Sequence, residues 1–136
     1  MSTTPQDQAQ KVSRPLSPHL QIYKPMLTMT MSIVHRITGV LLLLATVLLA
    51  WWLIAAAAGP AYFTFVESIL TSFLGRIILL GATWALIHHA LGGLKHLLWD
   101  TGKGFDLKLI ELLAKGSLIA SIALTIIVWA IAYGVR

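Results

Sequence analysis

Fourteen consecutive residues, Ile87-His88-His89-Ala90-Leu91-Gly92-Gly93-Leu94-Lys95-His96-Leu97-Leu98-Trp99-Asp100, hold three of the chain's five histidines, a lysine and an aspartate. They close a long apolar run. Ionisable side chains in such a run are costly, so they mark a functional site. An imidazole there can hold a metal, relay a proton or bridge two helices. The choice depends on which histidine faces what.

Helical spacing separates the neighbours. Ala82, Ala85, His89, Gly93 and His96 recur at intervals of three and four, with Gly81 and Gly92 flanking that face. Small residues on both sides of His89 leave room for a flat, bulky ligand, or for a very close helix. His88 lies about 100° round the helix, beside Trp84, Leu91 and Lys95, with no such space. If one of the pair binds a macrocycle it is His89, and His88 is left to packing or the lipid side. Depth agrees: eleven residues separate His89 from Asp100, about 16 Å at roughly 1.5 Å per residue. That is half of a hydrocarbon core about 30 Å thick. An imidazole at this depth needs a partner, either haem iron, which tolerates hydrocarbon, or an interhelical hydrogen bond. Zinc is disfavoured, because no cysteine or carboxylate stands near and the next histidine on that face is His96.

A second group lies earlier in the chain. Ser32, His35, Arg36 and Gly39 share one helical face, and Lys95, His96 and Asp100 reach a similar depth. Single cations at a membrane border commonly just snorkel. Six polar side chains on one rim suit an anionic or hydrogen-bonding ligand, such as a porphyrin propionate or a quinone carbonyl.

The elements that must position these residues are membrane spans. The chain has 136 residues, is 57% hydrophobic and 11% charged, and has a mean hydropathy of +0.82; a soluble domain of this size could not bury so much apolar surface. The expected fold is all-α, an integral membrane bundle of three transmembrane helices over 29–136, with spans near 29–58, 69–99 and 117–133. A short loop joins the first two spans, and an interfacial helix over 105–113 precedes the third. Residues 1–28 form a polar tail followed by a proline-rich arm, Arg14 to Pro25, whose three prolines forbid a regular helix and suggest extended docking onto a partner. Basic residues cluster before the first span and between the second and third, which puts the N-terminus inside and the C-terminus outside. The net charge of +5 is spread along these borders, so a nucleic-acid partner is not expected. Cysteine is absent, which excludes disulfides and thiol chemistry. The start of the chain has neither signal-peptide nor transit-peptide character, favouring a bacterial inner membrane over a mitochondrial one.

Three motifs in order, Arg14-Pro15-Leu16-Ser17-Pro18-His19-Leu20 with Ile22-Tyr23, Ser32-Ile33-Val34-His35-Arg36-Ile37-Thr38-Gly39, and His89 with Gly93, His96 and Leu97-Leu98-Trp99-Asp100, closely resemble the cytochrome b556 membrane-anchor subunits of succinate dehydrogenase. The likeness covers roughly residues 14–105. It implies a haem b shared with a second membrane subunit, with His89 as one axial ligand. It also implies Ser32 and Arg36 at a ubiquinone pocket, and Arg36, His35 and His96 in the vicinity of the haem propionates. The implied partners are the flavoprotein, the iron–sulfur subunit, the second membrane anchor and the lipid bilayer; the chain alone would be inactive. Two departures stand out: Gly92-Gly93 where many members have Asn-Gly, and Lys95 where they have arginine, which loses the bidentate fork. The alternatives are a haem-free structural anchor, or a small transporter subunit whose histidines relay protons.

Overall fold

The structure, a computed structural model, describes Ser17 and residues 24–135. The polar tail and most of the proline-rich arm expected at 14–25 lie outside the described residues. Four helices follow: α1 Leu27–Ala58, α2 Pro60–Leu70, α3 Phe73–Asp100 and α4 Leu107–Gly134. Three of them, α1, α3 and α4, are long and apolar enough to cross a membrane. At about 1.5 Å per residue, the 32 residues of α1 reach well beyond a core of about 30 Å.

Two features differ from the sequence reading. The stretch after the first span is α2, a helix rather than a loop. It starts because Gly59 turns the chain at φ 116° and ψ 170°, a region essentially reserved for glycine, and Pro60 then occupies the first turn, where its missing N–H costs nothing. α2 lies against the end of α1, where the Trp51 indole donates to the Tyr62 hydroxyl at 2.9 Å and Trp52 meets Phe63 edge-on. The second difference is that the expected interfacial helix is the first turns of α4. Its start is set by Asp106, whose carboxylate accepts from the N–H groups of Lys108 and Leu109 at 3.0 and 3.1 Å. Similarly, Ser72 caps α3 by accepting from the Gly75 N–H.

α3 packs on both α1 and α4. Little is buried among the described residues, and apart from Met31 and Val66 the buried side chains are small or polar: Ala55, Ala85 and Ala114, with Thr38, His88, Ser121 and Thr125. In hydrocarbon, helices associate through close contact and hydrogen bonds rather than apolar burial, and small and hydroxylic residues serve both. Long apolar side chains such as Leu43, Leu44 and Ile126 point outward, as a lipid-facing surface requires.

Candidate functional site

His88 and His89 sit on different faces of α3. The His89 ring enters the α1–α3 contact. Its Nδ1 lies 3.1 Å from the carbonyl oxygen of His35 and 3.3 Å from the Thr38 hydroxyl, which itself donates to the same carbonyl at 2.8 Å. A carbonyl only accepts, so the proton of the neutral His89 ring belongs on Nδ1 and Nε2 keeps its lone pair. The His35 ring stacks on His89 with centroids 4.0 Å apart and planes 5° from parallel.

Two glycines make that stack possible. A Cβ on Gly39 would come within 3.1 Å of the His89 Cε1. A Cβ on Gly92 would collide with the His35 Nδ1, and its Cε1 would be 2.8 Å away. Gly92, which the motif comparison left without a purpose, is therefore the seat of the His35 ring. The His35 Nδ1 is buried there without a hydrogen-bond partner among the described residues. The small-residue face of α3 also divides at His89. Ala85, one turn before, is fully buried, whereas no atom lies within 4 Å of a Cβ built on Gly93, one turn after. One side takes a close helix; the other is open.

The polar rim is divided too. His96 reaches toward the same cluster, 5.1 Å from the His35 ring and 5.3 Å from Trp99. Lys95 shares Trp99 with His96 and also borders the α3–α4 side. Its ammonium sits 5.2 Å over the Trp99 ring, and the residue lines a cavity of about 470 Å³ between α3 and α4 with Leu91, Leu112 and Gly116. Asp100 is exposed; the ion pair formed among the described residues is elsewhere, Lys115 to Glu111 at 3.7 Å. Ser32 and Arg36 are exposed on α1 one turn apart, and neither side chain makes a hydrogen bond or ion pair among the described residues. The structure thus joins His35, His89 and His96, and leaves Ser32 and Arg36 facing outward from the chain.

His88 is only 3% exposed. Its Nδ1 is 3.1 Å from the Ser121 hydroxyl of α4, and its ring stacks on Trp84 at 5.2 Å. Of the two roles expected for it, packing and the lipid side, it has the first. Sequence reasoning missed Thr38 and Ser121, and named Gly92 without the ring it seats. Thr38 carried a signal, since it stands three residues after His35 on the same face; Ser121 lies on another helix and carried none.

A family model described as the succinate dehydrogenase/fumarate reductase transmembrane subunit matches residues 10–128. The succinate dehydrogenase cytochrome b556 subunit of Paracoccus denitrificans is 43% identical over 121 residues, covering 86% of this chain and 92% of that protein. The cytochrome b556 subunit of Rickettsia conorii is 37% identical over 116 residues, covering 85% and 90%. The succinate dehydrogenase cytochrome b560 subunit of Marchantia polymorpha is 41% identical over 111 residues, covering 78% and 80%.

Proposed function

The chain belongs to the succinate dehydrogenase/fumarate reductase transmembrane subunit family, and we propose that it anchors a succinate:quinone oxidoreductase in the bacterial inner membrane, supplying one axial ligand of haem b and part of the ubiquinone-reduction site. The flavoprotein, the iron–sulfur subunit and a second membrane anchor complete the assembly, with the N-terminus and the α3–α4 connection on the cytoplasmic side.

The observation that carries this reading is the contact of the His89 Nδ1 with the His35 carbonyl. The carbonyl of His35 holds Nδ1–H and leaves Nε2 as a lone-pair donor near mid-membrane. Metal-binding histidines are oriented in this way, by a backbone carbonyl or carboxylate on the other ring nitrogen, which also raises ligand basicity. The open space beside Gly93 offers room for a macrocycle on the side away from Ala85. His89 would be this chain's ligand to the haem iron; no group of three His, Asp or Glu among the described residues could hold a metal ion by itself. Bound haem b would supply a one-electron centre within the bilayer.

The remaining roles belong to side chains of this chain. Arg36, His35 and His96 would stand in the vicinity of the haem propionates. Ser32 donates a hydrogen bond to a quinone carbonyl, and Arg36 places a fixed positive charge where negative charge develops as the quinone takes up two electrons and two protons. Their outward position on α1 suits a pocket completed by other subunits.

Reduced-minus-oxidised spectra of the purified complex test the proposal. Wild type should show a b-type band that His89→Leu removes or strongly perturbs. Arg36→Leu should keep the band and succinate oxidation with an artificial acceptor, while quinone reduction falls about 100- to 1,000-fold, the range for loss of one preorganised electrostatic contact. A wild-type complex without the band would sink the haem assignment, and equal loss of both activities in Arg36→Leu would point to failed assembly.

A further inference from the structure

We propose that His88 is a positioning residue: its hydrogen bond to Ser121 across the α3–α4 contact sets the rotation of α3 that aims His89 at α1. The proposal rests on the reading of His89 as a haem ligand.

The bond has a defined direction. The Ser121 hydroxyl donates its proton to the Leu118 carbonyl at 2.8 Å, so toward His88 it accepts, and the imidazole Nδ1–H is the donor. Both residues are buried, His88 at 3% and Ser121 at 0% exposure. A donor stranded in that setting has no water to turn to, and leaving it unmade is costly. Trp84, one turn earlier on α3, stacks on the same ring and restricts its swing. His88 is therefore held from two directions, by its own helix and by α4.

His89 is the next residue, about 100° round α3. Because the helix is stiff, any rotation that carried His88 from Ser121 would carry His89 from the His35 carbonyl and Thr38. The imidazole atoms lie roughly 6 Å from the helix axis, so a turn of about 10° moves them about 1 Å. A shift of that size takes the 3.1 Å contact of His89 out of hydrogen-bond range. The two bonds, one to α4 and one to α1, fix a single rotational setting.

The test uses the assembled complex with four chains: wild type, His88→Leu, Ser121→Ala and His88→Asn, the last retaining a donor near the Nδ1 position. Haem content, the highest g value of the oxidised low-spin signal and the haem midpoint potential are measured in each. Leu and Ala variants should keep the haem yet shift both the g value and the potential in the same direction, and His88→Asn should return them toward wild type. A wild-type band with signatures unmoved in both variants overturns the positioning role alone. Failure of His88→Leu to assemble beside a wild-type signature in Ser121→Ala also overturns it, assigning His88 to packing. A wild type lacking the band overturns the haem reading, and this proposal with it.

Discussion

At the scale of single residues, the site is built on subtraction. Gly39 and Gly92 have no side chains where His89 and His35 need space. Gly92→Ala sets two effects against each other. Alanine gains up to about 1 kcal/mol in helix propensity, but its Cβ would displace an imidazole held between the His89 ring and α3, and forced overpacking costs about 1–3 kcal/mol. The His35 ring cannot yield without leaving its stack, so the loss prevails. The assembled complex carrying Gly92→Ala should melt below wild type, and an unchanged or raised Tm would show that His35 has another place to go.

At the scale of elements, the corner between α1 and α2 depends on one backbone conformation. Gly59 at φ 116° and ψ 170° is where a side chain is not tolerated, and strain of this type costs about 1–3 kcal/mol. Gly59→Ala should lower the Tm of the complex while the haem spectrum stays as in wild type, because the turn is at the opposite end of α1 from His35. A spectral change would mean that the corner governs how α1 meets α3. Much of this level was legible from sequence: the first span was expected to end at 58, as α1 does, and the long apolar runs marked three crossings. That α2 is helical was not legible, since an aromatic-rich stretch of eleven residues acquires its periodic face only from the α1 surface it lies on.

At the scale of the whole molecule, a multi-pass chain with basic residues gathered at the α1 start and around the α3–α4 connection should sit with both on the cytoplasmic side. The absence of cysteine makes this directly measurable. Ala61→Cys and Thr101→Cys each place one thiol at an exposed position at opposite ends of the bundle. A membrane-impermeant maleimide applied to intact spheroplasts should label the first and spare the second. The reverse pattern would invert the topology and move the proposed quinone pocket to the outer face.

Composition and periodicity by themselves determined the membrane class, the three long apolar helices and the division of His88 from His89, because burial in lipid and helical geometry act along one chain segment and can be read from it. They did not determine what each face meets. Only the tertiary structure put the His35 carbonyl on His89, the His35 ring on Gly92 and Ser121 on His88. Those are contacts between helices, set by how small residues let backbones approach, and no spacing within a single helix encodes the residue that stands across from it.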